Sequence, residues 1–180
     1  MLDTRYKILN TMRIIFFGNT KYSVIGADIL HRELGLSHVV TLPDKPDKRS
    51  RIVPNPVKQF ASANKIPVSE VEKITSGVID QIEALQPDFF VVEDYGLILP
   101  EKLLAVPRYA PLNIHHSLLP KYRGPSPAPS AILAGEKKSG VTVIHMSKRM
   151  DAGDIYTQTE YMLSESETTD SLLTILNQLG

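Results

Sequence analysis

Short apolar runs alternate along this chain with longer segments in which apolar residues recur every three or four positions. The runs have the length and the β-branched or aromatic content of buried strands. They predict strands at residues 12–18, 38–42, 66–68, 88–93 and 111–116. The periodic segments predict helices at 20–34, 57–64 and 75–85, a short helix beginning around Pro100, and helices at 126–134 and 168–180.

Strands that alternate with helices predict an α/β fold, with a mainly parallel sheet that carries helices on both faces. The last two predicted strands, 140–147 and 154–163, follow one another without a helix between them. They predict an antiparallel addition to the sheet near the C-terminus. Open sheets of this kind bind ligands beyond the carboxyl ends of their strands. Here those ends are Gly18, Glu93 to Tyr95, and His115 to Ser117.

The composition is that of a globular domain, with 180 residues of which 42% are hydrophobic and 22% charged. Twenty basic and twenty acidic side chains balance, so nucleic-acid binding requires a local basic patch. The absence of cysteine excludes thiol nucleophiles and zinc thiolate sites, and it fits a cytoplasmic protein. No apolar run approaches the roughly 20 residues that span a bilayer. We expect no membrane contact.

Residues 1–11 carry charges but lack the apolar stretch of a signal peptide. We expect this segment to be a tail before one domain at 12–180, and Met12 is a candidate for the original start.

Asn113 and His115 are the strongest candidates for catalysis. Side chains alternate along a strand, so these two lie on one face while Leu112 and Ile114 lie on the other. An amide can donate to a developing oxyanion, and an imidazole can donate or move protons. Asp151, in a glycine-containing turn, is the best-placed carboxylate to orient the imidazole and raise its pKa. The alternative is a hydrogen-bonded structural pair, and spacing alone leaves both interpretations open.

Other polar residues favour structural roles. His116 points to the opposite face of its strand, and His145 alternates with valines, so both are expected to pack. The turn G-N-T-K-Y-S at 18–23 lacks the spacing of nucleotide-binding loops. A helix-capping turn is the favoured interpretation, although its amide groups are also suited to an anion.

A basic, proline-rich segment covers residues 43–56 and is predicted to be a loop because it is too polar to pack. Its cations are Lys45, Lys48, Arg49 and Arg51. They are either a phosphate-binding patch or an ordinary solvated surface.

Several motifs together resemble the folate-dependent formyltransferases. The central ones are N-I-H-H-S-L-L-P-K-Y-R-G at 113–124, G-V-T-V-I-H-M at 140–146 and D-A-G-D-I at 151–155. Further similar segments are R-I-I-F-F-G-N-T-K-Y-S, V-V-T-L-P-D-K-P-D-K-R, P-N-P-V-K-Q-F-A and D-Y-G-L-I-L-P-E-K-L-L. The resemblance extends over residues 12–180. The joint set is far more specific than the N-x-H pair alone.

The resemblance implies a Rossmann-like domain that binds 10-formyltetrahydrofolate as formyl donor and passes the formyl group to an amine, without a metal. The Asn, His and Asp of the family motif match Asn113, His115 and Asp151, which favours the catalytic interpretation. The folate-side wall is implied to include Ser117, Leu118, Leu119 and Pro120. The pterin pocket is implied to include Tyr95, Gly96, Leu97, Ile98 and Leu99.

Within that family the chain is similar to the enzymes that formylate methionyl-initiator tRNA at translation initiation. This likeness implies that the basic segment meets tRNA. We also expect the protein to be a monomer. Those enzymes carry a further barrel-like domain that is absent from these 180 residues, so weaker tRNA binding is expected. An amino-sugar nucleotide N-formyltransferase and a non-catalytic folate- or RNA-binding protein are the alternatives.

Two segments depart from the family pattern. The first turn lacks the proline that usually follows G-T, and Glu93 with Asp94 replaces small or apolar residues before Y-G. Both lie near the mouth of the expected site, so its shape is where we expect differences.

Overall fold

The computed structural model describes residues 12–46 and 48–180, so the predicted tail at 1–11 lies outside the described residues. The strands are β1 (Ile14–Gly18), β2 (His38–Thr41), β3 (Lys45–Pro46), β4 (Ile52–Val53), β5 (Val68–Glu70), β6 (Phe89–Glu93), β7 (Ala110–His115), β8 (Lys138–His145) and β9 (Ile155–Met162). The helices are α1 (Ser23–Leu34), α2 (Pro56–Ala63), α3 (Ser76–Ala84), α4 (Glu101–Leu104), α5 (Pro127–Leu133) and α6 (Thr169–Leu179). Every predicted strand and helix has a counterpart whose ends are displaced by a few residues.

Seven strands form one sheet in the order β5-β2-β1-β6-β7-β8-β9. The strands from β5 to β7 run parallel, whereas β8 pairs antiparallel with β7 and β9 pairs antiparallel with β8. This confirms the predicted fold class and the late antiparallel addition. The chain leaves β1 toward β2 on one side and later reaches β6 on the other. The carboxyl ends of β1 and β6 therefore flank the topological switch point, where such sheets bind ligands.

Apolar layers cover both faces of the sheet, because successive side chains of a strand point to opposite sides. One layer joins Ile15, Phe17, Val40, Phe90 and Val92 to Ile79, Ile82 and Leu103 of α3 and α4. The other joins Ile14, Phe16, Val39, Val91 and Ile114 to Ala27, Val57 and Ala61 of α1 and α2. Phe17 contacts Phe90 and Tyr95 edge to face, with ring centroids 4.9 and 5.3 Å apart. Close packing on both sides holds the strand ends that carry the site.

The helices begin where local capping chemistry allows. Asn55 Oδ1 accepts from the backbone amides of Val57 and Lys58 at the start of α2, which satisfies donors that the helix leaves unpaired. Thr168 and Ser171 form a capping box at the start of α6. Across the described ranges, every helix is too short or too polar to cross a membrane.

The basic segment is the one region where the predicted loop was wrong. Lys45 pairs with Val53 and Pro46 with Ile52, which forms a small antiparallel hairpin. Its apolar side chains stay exposed, Ile52 by 64% and Val53 by 51%. The polarity of a segment predicts whether it is buried. This hairpin forms by backbone pairing and has no buried face, so its polarity gave no indication of the strands. We call residues 45–53 the basic hairpin.

Candidate active site

Three polar side chains meet at the carboxyl end of β7. Asn113 and His115 lie two residues apart on that strand, and Asp151 lies in the turn between β8 and β9. Asp151 Oδ1 is 3.4 Å from Asn113 Nδ2 and 3.7 Å from His115 Nδ1. The fold thus brings together three predicted residues of which the outer two are 38 positions apart in sequence.

The hydrogen bond of His115 determines which ring nitrogen carries a proton. Its Nε2 atom is 2.9 Å from the carbonyl oxygen of Tyr122. Since a carbonyl oxygen only accepts, Nε2 is the donor. In the neutral ring the lone pair is therefore on Nδ1, beside Asp151. A proton that arrives at Nδ1 is stabilised by that carboxylate, so Nδ1 is the atom that can act as a base.

The pKa of His115 is lowered from the ordinary value of 6.5, chiefly because the ring is buried. Asp151 and the hydrogen bond to Tyr122 act to raise the pKa, and His116 acts to lower it further. Asp151 does raise the pKa of this ring, as expected, but burial has the larger effect. At neutral pH the ring is mainly neutral and able to accept a proton.

The segment that follows β7 returns over the site and holds its residues. The backbone amide of Gly124 donates to Asp151 Oδ2 at 2.8 Å, and Arg123 Nε donates to the Asp151 carbonyl oxygen at 2.9 Å. Tyr122 and Asp151 adopt left-handed backbone angles, with φ of 56° and 50°. These supporting contacts were missed because they depend on where the chain folds back.

The first part of that segment, predicted to lie along folate, is tied to the sheet by its backbone. Thr142 Oγ1 donates to the Ser117 carbonyl oxygen at 2.6 Å, and the Leu119 amide donates to Thr142 Oγ1 at 3.2 Å. Gln158 Nε2 donates to the Leu119 carbonyl oxygen at 2.9 Å. Thr142 and Gln158 were not predicted as supporting residues. No sequence pattern indicates that a polar residue on β8 or β9 has this role.

Leu118 and Pro120 keep accessible surface in this wall, whereas Leu119 and Ser117 are buried. The Leu119–Pro120 peptide bond is cis. Leu118 packs closely on β8, where a side chain at Gly140 would overlap it. The wall is therefore a fixed surface rather than a free loop.

The predicted pterin-pocket residues divide into two groups. Tyr95 and Leu99 are 3% and 5% exposed and belong to the core. Leu97 and Ile98 line a groove of about 280 Å³ together with Lys73, and Gly96 is exposed. The groove-facing residues can contact a ligand directly, while the side chains of Tyr95 and Leu99 support the segment from behind.

His116 directly follows the last residue of β7 and contacts a different set of groups from His115. Its Nε2 is 3.3 Å from Glu93 Oε1 and its Nδ1 is 3.5 Å from Asp94 Oδ1. Burial acts to lower the pKa of His116, but these two carboxylates outweigh it and raise the pKa to about 9. Burial raises the pKa of Glu93 to about 7. The two acidic residues noted as departures are thus the partners of His116, and we call the three residues the His116 network.

In the turn at 18–23, several backbone amides donate to side-chain oxygens of the turn itself. Ser23 Oγ accepts from the amides of Asn19 and Thr20 at 3.1 and 2.9 Å. Thr20 Oγ1 accepts from the amides of Tyr22 and Ser23, each at 3.2 Å. Because these donors are paired with side chains, the geometry favours the capping turn over an anion-binding loop.

The basic hairpin has a rigid base. The Asn55 amide donates to Asp44 Oδ1 at 2.8 Å, and Lys58 Nζ lies 2.9 Å from Asp44 Oδ2. Those contacts hold the pKa of Asp44 below its ordinary value. The predicted cations Lys45, Lys48, Arg49 and Arg51 are all exposed on this one element. The structure thus groups them on a projection anchored at the end of the sheet.

The remaining candidate features are His145 and a metal site. His145 Nδ1 lies 2.9 Å from the Met146 carbonyl oxygen, consistent with the expected structural role. Over residues 12–46 and 48–180, the acidic and histidine side chains form no group of three placed to hold a metal ion.

Comparison with known proteins assigns the chain to a family. The family described as formyl transferase matches residues 12–179. The chain therefore belongs to the formyl transferase family, which confirms the resemblance seen in its motifs.

Relatives and solved structures agree with that family. The methionyl-tRNA formyltransferase of Macrococcus caseolyticus is 41% identical over 170 residues, which are 93% of this chain and 55% of that protein. The protein of the same name from Staphylococcus aureus is 38% identical, again over 93% of this chain and 55% of its own length. This chain spans about half the length of the curated relatives it matches. The crystal structure of phosphoribosylglycinamide formyltransferase from Bacillus halodurans is 26% identical with a TM-score of 0.74, covering 91% of this chain and 87% of the other.

Proposed function

We propose that this chain transfers the formyl group of 10-formyltetrahydrofolate to the amino group of methionyl-initiator tRNA. The observation that carries the proposal is the convergence of Asn113 Nδ2 and His115 Nδ1 on Asp151 Oδ1. An amide donor, a buried base and a carboxylate are the groups that acyl transfer to an amine requires.

In the proposed mechanism 10-formyltetrahydrofolate supplies an activated formyl carbon. The acceptor nitrogen forms a bond to that carbon while Asn113 donates to the developing oxyanion. His115 Nδ1 takes a proton from the attacking nitrogen and returns it to the folate nitrogen as the old carbon–nitrogen bond breaks. Asp151 stabilises the transient imidazolium.

The residues available for folate binding fit an aromatic, partly apolar ligand. Leu97 and Ile98 offer apolar surface beside a groove of about 280 Å³. Leu118 and Pro120 offer further surface in a wall that is fixed by its own hydrogen bonds. Rigid apolar surfaces of this kind lower the ordering cost of binding.

Two observations support tRNA as the acceptor. Relatives that are 38–41% identical over 93% of this chain are named methionyl-tRNA formyltransferases. The basic hairpin also presents cations that suit a phosphate backbone. The part of those relatives that this chain covers, about half of their length, is proposed to hold the chemistry.

A direct assay tests the acceptor. The purified chain should form formylmethionyl-tRNA from 10-formyltetrahydrofolate and methionyl-initiator tRNA, and it should leave an amino-sugar nucleotide unmodified. Product on the sugar alone would refute the assignment. Folate binding without turnover on either acceptor would identify a non-catalytic binding protein instead.

The basic hairpin should govern tRNA affinity and its salt dependence. Replacing Lys48, Arg49 and Arg51 together by Gln should lower the dependence of log affinity on log salt by about two to three ion equivalents. The exposed residues Lys65, Lys102 and Lys137 replaced by Gln form the matched control, because the net charge changes equally. Fluorescence anisotropy with labelled initiator tRNA over a salt series measures both variants. Equal slopes in the two would show that the hairpin is an ordinary solvated surface.

A further inference from the structure

Asp94 lies at the topological switch point, directly beside the catalytic strand. Val92 is level with Asn113 in the β6–β7 pairing, and Gly18 is level with Glu93 in the β1–β6 pairing. Continuing these registers places Asp94 between the first turn and His115. Neighbouring strands lie about 4.8 Å apart, so the backbone of Asp94 runs beside that of His115.

Two contacts hold the Asp94 carboxylate in one orientation. Its Oδ1 is 3.5 Å from His116 Nδ1, and its Oδ2 accepts from Thr20 Oγ1 at 3.3 Å. The backbone of Asp94 is left-handed, with φ of 49°, and the side chain remains 27% exposed. A carboxylate offers about four lone-pair sites. Asp94 is therefore a fixed anion that can still accept from a ligand.

The charges around Asp94 favour a cationic ligand. His116 is one cation between two carboxyl groups, Glu93 and Asp94, so the His116 network carries an excess negative charge above the Glu93 pKa of about 7. Glu93 is fully buried and beyond the reach of a ligand, which leaves Asp94 as the accessible acidic member. The charge of Asp94 also acts on His115, which links it to the catalytic side of the strand.

We propose that Asp94 binds the protonated amino group of the acceptor before transfer, an inference that rests on the proposed formyl transfer to an amine. An α-amino group has a pKa of about 8, so much of the acceptor arrives as an ammonium. One ammonium proton is released to solvent to give the nucleophilic amine. A second proton passes through His115 to the leaving folate nitrogen, and the formyl carbon–nitrogen bond forms.

The alternative is that Asp94 serves only to keep His116 charged. Glu93 supplies the same kind of contact to His116 from the buried side. Glu93→Gln is therefore the matched control, because it removes one carboxylate charge from His116 and leaves the accessible carboxylate in place.

Binding of methionyl-tRNA and N-acetylmethionyl-tRNA to the chain separates these roles without requiring turnover. The wild-type chain should prefer the free amine about 10- to 100-fold, the range expected for a charge-assisted hydrogen bond. Asp94→Asn should remove the preference and Glu93→Gln should keep it. The wild-type preference should also decline as the pH rises above the pKa of the acceptor amine, whereas the affinity for folate should not change.

Each outcome has a defined meaning. A wild-type chain without the preference, or an equal loss in both variants, overturns the role of Asp94. Loss of the preference in Asp94→Asn alone supports it. A chain that prefers the free amine yet formylates neither tRNA nor sugar contradicts the proposed function and not the Asp94 site. A chain that formylates methionyl-tRNA without the preference contradicts the Asp94 site alone, and one that binds neither tRNA overturns both.

Discussion

His115→Gln should reduce the turnover number by about 10²- to 10⁴-fold, the usual contribution of a positioned general base. The amide of the new side chain can still donate to the Tyr122 carbonyl oxygen in place of Nε2, but it has no basic atom where Nδ1 stood. Folate affinity should change little, because the fold and the folate-side wall are kept. Steady-state kinetics with methionyl-tRNA, together with fluorescence titration of folate, measures the two quantities separately.

The histidine of the neighbouring strand gives the control for this substitution. His145→Gln removes an imidazole whose Nδ1 lies near the Met146 carbonyl oxygen and whose ring centroid is 6.4 Å from that of Tyr156, and it should retain wild-type turnover. The wild-type rate should also fall as the pH drops below 6.5, because the lowered pKa of His115 keeps Nδ1 unprotonated above that pH. Unimpaired turnover in His115→Gln would contradict the role of this residue as a base.

His116→Gln should destabilise the fold by about 3 kcal/mol at pH 6.5, because Glu93 and Asp94 lose the cation that faces them. Glu93 is left buried beside α1, where the packing is so close that a side chain at Gly26 would overlap its Oε2. The double variant Glu93→Gln with His116→Gln should recover much of the loss, because the buried carboxylate is gone. Urea unfolding of the three proteins measures these free energies, and a double variant as unstable as the single one would contradict the explanation.

The same substitution has a specific pH dependence. His116 has a folded pKa of about 9 against an ordinary 6.5, so its stabilising contribution is present below pH 6.5 and lost as the pH rises through 9. At 1.36 kcal/mol per pKa unit this contribution is about 3 kcal/mol. The stability difference between the wild type and His116→Gln should therefore narrow between pH 6.5 and pH 10.

The half-buried His38 provides the reference for that measurement. Burial lowers the pKa of His38, so above about pH 7.5 its ring is largely neutral in both the folded and the unfolded chain. The difference between the wild type and His38→Gln should then stay nearly constant. A difference for His116→Gln that also stays constant would show that His116 is neutral in the folded protein.

Local rules were sufficient for much of this molecule. The apolar runs predicted the sheet strands and the periodic segments the helices, because burial on a sheet or a helix face imposes a period on the sequence. Alternation predicted different surroundings for His115 and His116, and the two do contact different groups. The resemblance of the motifs pointed to Asn113, His115 and Asp151, and the fold does bring these three together. Their catalytic roles stay a prediction until the variants above are measured.

Other features depended on contacts between distant segments. The basic hairpin was missed because two-residue strands pair through their backbones and leave no periodic pattern. The sign of the pKa shift of His115 required its burial, which outweighs the charge of Asp151. Glu93 and Asp94 stood out in the sequence only as unusual neighbours of Y-G.

The sequence by itself determined the order of strands and helices, the fold class and the residue types available for chemistry, because these follow from local periodicity and motif. Only the tertiary structure decided which ring nitrogen of His115 carries the proton, which groups hold Asp151, and that His116 lies between two carboxylates. Those properties arise from distances between atoms far apart in sequence, and from burial that strengthens charges by excluding water.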